Sequence, residues 1–199
     1  MNVTAAMVKE LRETTGAGIM DCKEALTASN GSIQEAVDHL RKKGLQAAAK
    51  RSARHTSDGM VGSYIHSGGR LGVLVEVNCE TDFVARNDEF QALVRDLAMQ
   101  IAASDPLYVS RDDIPEDVIA KERYILEEQA KTAGRPEQVI AKIVDGRLQK
   151  YFQEVCLLDQ PFVKDSSITV RDLLAEKIAK IGENITVSRF ARFALGETS

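Results

Sequence analysis

Apolar residues recur at helical spacing from the start of the chain. Val3, Met7, Val8 and Leu11 share one face over residues 3–14, with Thr4 placed to cap it. Thr15-Gly-Ala-Gly18 must end that helix, because each glycine costs about 1 kcal/mol in a helix interior. A second short helix is expected after Asp21, where Asp21 and Glu24 have capping-box spacing. The turn Ser29-Asn-Gly31 leads to Ser32 and Glu35, a better capping box, and to a third helix turning Ile33, Ala36, Val37 and Leu40 inward. Gly44 reads as its stop. Three short helices within about 45 residues make a compact bundle near the size limit for folding alone. Such a bundle suits docking better than catalysis.

Leu45 to Asp58 has no strong apolar period, as a linker or a solvated helix would. The pattern then becomes β-branched. Gly59–Ile65 and Leu71–Asn78 read as strands, and His66-Ser-Gly-Gly-Arg70 between them is a hairpin signal. Phe83 to Ala103 reads as one helix with Phe90, Leu93, Leu97 and Ile101 along a face. Pro106 and Pro115 punctuate a loop. Glu116–Ala133 and Glu137–Phe152 are charged helices joined at Gly134-Arg-Pro136, which implies an antiparallel helical hairpin. Thr169 and Asp172 open a further helix to Lys180, and Ile185–Leu195 is a last strand. Helices interleave with a hairpin and no regular βαβ repeat, so the fold class is α+β. The expected domains are residues 1–55, a three-helix unit with a basic linker, and residues 56–199, an α+β core.

Composition narrows the class. In 199 residues, 44% hydrophobic and 28% charged side chains match a globular chain. No apolar run reaches the ~20 residues of a membrane span, and an N-terminus carrying Lys9, Glu10, Arg12 and Glu13 does not read as a secretory signal. Cys22, Cys79 and Cys156 are odd in number and far apart, which fits a reducing cytoplasm and neither a disulfide framework nor a zinc site. The net charge of −4 is uneven: residues 1–55 hold nine Lys/Arg against six Asp/Glu, and the rest seventeen against twenty-four. Most of the basic excess is Arg41, Lys42, Lys43, Lys50, Arg51 and Arg54, with no acid between His39 and His55. A polyanion-binding patch is one reading. A solvated basic helix and linker is the other, favoured because no aromatic residues interleave for base stacking. The chain has no phosphate-binding P-loop, no G-x-G-x-x-G, no H-E-x-x-H and no G-x-S-x-G. His39, His55 and His66 are too scattered to suggest a metal cluster.

Two segments stand out from this background: Leu11-Arg-Glu-Thr-Thr-Gly-Ala-Gly-Ile-Met-Asp-Cys-Lys-Glu-Ala-Leu26 and Glu76-Val-Asn-Cys-Glu-Thr-Asp-Phe-Val-Ala-Arg86. On residue type alone, Phe83 reads as the first core residue of the helix that follows it, capped by Thr81 or Asp82. Together, however, the two segments closely resemble the diagnostic motifs of the bacterial elongation factor Ts family, the nucleotide exchange factors of the GTPase elongation factor Tu. The resemblance continues through Val144-Asp-Gly-Arg147, Gln160-Pro-Phe-Val163 and Ala179-Lys-Ile-Gly-Glu-Asn-Ile185, in family order.

The resemblance implies a ubiquitin-associated-like N-terminal bundle, an α+β core of antiparallel strands and helices, and a partner, elongation factor Tu. It implies no catalytic residue, no cofactor and no metal of the chain's own. Thr81, Asp82, Phe83 and Val84 would form the element that disturbs the partner's Mg²⁺ and phosphate site. Arg12, Ile19 and Met20 would dock the N-terminal unit, with His66, Ile181 and Gly182 as further contacts on the core. Longer family members carry two copies of the core where this chain has room for one, which implies a short form that pairs as a homodimer. No membrane and no direct nucleic-acid contact is expected. Other function classes are an RNA-binding or adaptor module built on the bundle and basic stretch, marked by strong salt dependence, and a small enzyme.

Overall fold

The computed structural model describes residues 3–197. Eight α-helices and five strands follow in the order α1 (Ala5–Thr15), α2 (Ile19–Ala28), α3 (Ile33–Arg51), β1 (Asp58–Ile65), β2 (Leu71–Cys79), α4 (Asp82–Ala85), α5 (Asp88–Ser104), α6 (Glu116–Thr132), α7 (Glu137–Val155), β3 (Pro161–Phe162), β4 (Asp165–Thr169), α8 (Val170–Ile181) and β5 (Ile185–Ala194). Strands β1, β2 and β5 form an antiparallel sheet in the order β1-β2-β5, and β3 pairs with β4 in a small hairpin. The fold is α+β. Among the described residues no helix is long and apolar enough to cross a membrane.

The chain forms two compact units from interleaved segments. One comprises Met1–Met60, Val77–Gln91 and Asp172–Thr186; the other comprises Val61–Glu76, Ala92–Arg171 and Val187–Ser199. In the first, Thr4 caps α1 by accepting the Met7 amide, and Gly16 ends it in the left-handed region at φ 67°. Leu11, Cys22, Ala25, Leu26 and Ala36 form the centre of the three-helix bundle. Ser32 opens α3 by accepting the Glu35 amide at 3.4 Å.

Two helix boundaries in the bundle differ from expectation. Helix α2 starts at Ile19 behind Gly18, so Asp21 lies inside the first turn and does not cap it. Its carboxylate instead takes the Lys43 ammonium at 2.8 Å. Gly44 does not stop α3, which runs on to Arg51. Gly44 is buried there against α8: a Cβ on it would lie 3.8 Å from the Ala175 carbonyl oxygen and 3.9 Å from the Ala179 Cβ. These are ordinary contact distances, so no close approach demands a glycine here; packing of α3 on α8 carries the helix past a residue of poor helix propensity.

The span read as one helix from Phe83 to Ala103 is two. Helix α4 is a single turn, and the chain restarts at Asn87, whose side-chain oxygen accepts the Glu89 amide at 2.7 Å. Phe90, Leu93, Leu97 and Ile101 are buried along α5 as the periodicity requires. In the second unit Leu126, Val144, Leu148 and Phe152 join α6 to α7. The β3–β4 hairpin has too few residues to carry a period and has no counterpart in the sequence reading.

Candidate functional site

Strand β2 ends on buried Cys79, and the chain turns at once into α4. Thr81 is the cap: its backbone is extended (φ −133°, ψ 153°) and its hydroxyl accepts the Val84 amide at 3.4 Å. Val84 is buried at 6% exposure and roots the turn in the chain's own core, whereas Phe83 is 79% exposed. The core reading of Phe83 therefore does not hold. Leaving a Phe in water forgoes about 1.5–3 kcal/mol of burial, so the fold draws little from this side chain. Asp82 is exposed and pairs with Arg86 at 3.0 Å. Beneath the turn, burial and then the nearby Glu183 carboxylate push the Cys79 thiol up to about 11, so it stays neutral.

The turn is held from both sides. The Glu183 carboxylate accepts the backbone amides of Glu80 and Thr81, each at 3.1 Å, and the Thr81 hydroxyl at 2.7 Å. In return, the Glu80 carboxylate accepts the Asn184 amide at 2.6 Å and the Arg54 guanidinium at 3.3 Å. Asn184 is buried and donates its side-chain amide to the Arg54 carbonyl at 2.9 Å. Arg51 donates to the Gly182 carbonyl at 3.1 Å. Gly182 sits at φ 91°, where a side chain would be strained, and follows half-buried Ile181 at the end of α8. Ile181 and Gly182 are thus brought beside Thr81–Val84 by the residues that follow them. In the sequence Arg54 stands only within the basic stretch, and Glu80, Glu183 and Asn184 only within family-like segments, with no sign of the bracing they provide.

On the bundle, Ile19 and Met20 are 56% and 75% exposed at the start of α2. Ile19 and Arg12 line a groove of about 410 Å³ with Val3, Val8, Lys9 and Lys23. The preceding α1–α2 turn lies by α8, since a Cβ on Gly16 would be 3.5 Å from the Lys180 Nζ. His66 belongs to the other unit, at the β1–β2 turn, where its Nδ1 lies 3.0 Å from the Tyr64 hydroxyl.

The basic stretch is largely consumed within the first unit. Arg41 pairs with Asp172, Lys43 with Asp21 and Glu24, and Arg54 with Glu80, while Arg51 bonds the Gly182 carbonyl. Four of the six cations are thus engaged inside the unit. No group of His, Cys, Asp and Glu suited to a metal is found among the described residues.

The family model for "Elongation factor TS" matches residues 1–197. The chain is similar to elongation factor Ts of Carboxydothermus hydrogenoformans, with 62% identity covering 98% of this chain and 90% of that protein. It is 60% identical to elongation factor Ts of Moorella thermoacetica (98% and 96% covered) and 57% identical to that of Geotalea uraniireducens (99% and 91% covered). A family match over residues 1–197 and relatives 57–62% identical over nearly the full length carry the conclusion: the chain belongs to the elongation factor Ts family of translation elongation factors.

Proposed function

We propose that this chain binds GDP-loaded elongation factor Tu and accelerates GDP release, so that GTP can reload. The observation that carries the reading is Phe83, 79% exposed on a turn fixed at Thr81 by Glu183, in a chain of this family. A GTPase grips its nucleotide through phosphate contacts and a Mg²⁺ ion that demands octahedral geometry at about 2.0–2.1 Å. An exchange factor forms no covalent bond. It binds the nucleotide-free GTPase more tightly than the loaded one, and linkage requires it to weaken nucleotide binding by the same factor. Burying Phe83 between helices of the GTPase supplies about 1.5–3 kcal/mol, which is roughly ten- to a hundredfold in that factor. Asp82, with Arg86 as its neighbour, shapes the turn's polar side toward the metal and phosphate site. Arg12, Ile19 and Met20 supply docking area on the bundle, with His66, Ile181 and Gly182 adding contacts, and Val84 acts by rooting the turn. The reaction takes place in the cytoplasm, alongside translation.

The internal pairing of Arg41, Lys43, Arg51 and Arg54 leaves little free cation for RNA and speaks against the nucleic-acid alternative. We further infer a homodimer. Val61, Ile65, Leu74, Phe193 and Leu195 are all large exposed apolar residues on or next to β1, β2 and β5. Both β1 and β5 are edge strands of the sheet. A second copy covering them removes apolar surface and an open strand edge together. The direct test of function is release of labelled GDP from elongation factor Tu with and without the protein. Faster release is expected, and an unchanged rate refutes the reading.

A further inference from the structure

We propose that Glu183 is the positioning residue of the Phe83 turn, setting how well Phe83 enters the partner; this rests on the exchange function proposed above. Helix α4 has four residues, too few to hold its own shape in water, so its geometry must come from its ends. One end is buried Val84. The other is Thr81, whose hydroxyl has a single proton. That proton goes to Glu183 at 2.7 Å, which leaves a lone pair for the Val84 amide at 3.4 Å. Glu183 thereby fixes the hydroxyl in the orientation that caps α4. The same carboxylate takes the Glu80 and Thr81 amides at 3.1 Å each, so it closes the backbone hinge between β2 and α4 with charge-assisted bonds. Glu80 reaches back to the Asn184 amide at 2.6 Å, and the two neighbouring segments hold each other by crossed carboxylates. Arg54 joins Glu80 at 3.3 Å and Arg51 joins the Gly182 carbonyl at 3.1 Å, tying the end of α3 into the same support. Without Glu183, Phe83 remains exposed but swings on a loose hinge, and part of its binding energy is spent on ordering the turn.

The test measures GDP release from elongation factor Tu at increasing concentrations of Glu183→Ala and Glu183→Gln, each alone and combined with Phe83→Ala. Amide hydrogen exchange of the free proteins reads the turn directly. Glu183→Ala is expected to lower the maximal release rate by about tenfold, with a smaller change in the half-saturating concentration. Glu183→Gln keeps an acceptor for Thr81 and should fall between. The Glu80 and Thr81 amides should lose protection selectively. In the Phe83→Ala background, adding Glu183→Ala should change the rate by less than about twofold, because the residue acts through Phe83. A wild-type rate for Glu183→Ala overturns the positioning role, provided Phe83→Ala is slow. An equal loss in both backgrounds overturns it as well. A wild-type rate for Phe83→Ala itself removes the exchange reading beneath it. If Glu183→Ala does not fold, Glu183→Gln carries the same comparison.

Discussion

Gly44 and Ala179 face each other across α3 and α8: a Cβ placed on Gly44 would come to 3.9 Å from the Ala179 Cβ and 3.8 Å from the Ala175 carbonyl oxygen. Both are ordinary contact distances, so the site has room for one methyl and no more. Gly44→Ala should stabilise the protein by about 0.5–1 kcal/mol by restricting the unfolded chain. Gly44→Leu should destabilise it by about 1–3 kcal/mol through overpacking. Urea unfolding of both variants checks the opposite signs.

Acid should unfold this protein partly through Glu80 and Glu89. The Asn184 amide, against some burial and with help from Arg54, holds the Glu80 carboxyl below its ordinary range. Burial raises Glu89, but the ammonium groups of Lys180 and Lys177 outweigh it and leave this carboxyl low as well. With folded values depressed, the unfolded chain takes up protons first as pH falls. The stability is therefore present above the unfolded glutamate value of about 4.3 and is lost as pH drops through the folded values. The melting temperature should be level down to about pH 5 and fall below it, with a shallower fall for Glu80→Gln and Glu89→Gln.

Gln100 is fully buried; its side-chain NH2, with two protons to give, lies 3.1 Å from the Ser104 hydroxyl and 3.2 Å from the Gln160 and Pro161 oxygens, and its oxygen accepts the Val163 amide at 2.8 Å. Gln100→Leu strands the Val163 amide and the partner oxygens, each unmet group costing about 1–3 kcal/mol. Calorimetry should show a marked loss of stability, while GDP release per folded molecule stays normal.

A charge in the exposed apolar sheet residues should separate the proposed dimer. Leu74→Lys is expected to halve the mass measured by light scattering at tens of micromolar and to leave the helix content unchanged. A wild-type chain that is already monomeric under those conditions refutes the pairing.

Much of this architecture was legible from periodicity and caps. Leu11, Phe90, Leu97 and Ile101 are buried where a helical period puts them, and Thr4 and Ser32 cap as their positions suggest. Gly44 was misread because propensity sees the backbone cost and not the neighbouring helix. Phe83 was misread on residue type because hydrophobicity alone does not separate a core side chain from one presented to a partner. Only resemblance singled it out. The bracing of its turn was invisible for a different reason: Glu80 and Glu183 are 103 positions apart, and an acidic residue carries no sign of the amide it will meet. The basic run looked unbalanced along the sequence because the acids that answer Arg41 and Arg54, Asp172 and Glu80, lie far along the chain.

The measurement closest to the central claim pairs thermal unfolding of Phe83→Ala with GDP release from elongation factor Tu in its presence. A buried Phe truncated to Ala costs about 3–5 kcal/mol, whereas an exposed one changes stability by about 0.5 kcal/mol or less. The expected result is a melting temperature close to that of the parent protein together with release slowed about tenfold or more. A large drop in melting temperature with normal release per folded molecule, or parental behaviour in both measurements, would contradict the role given to Phe83.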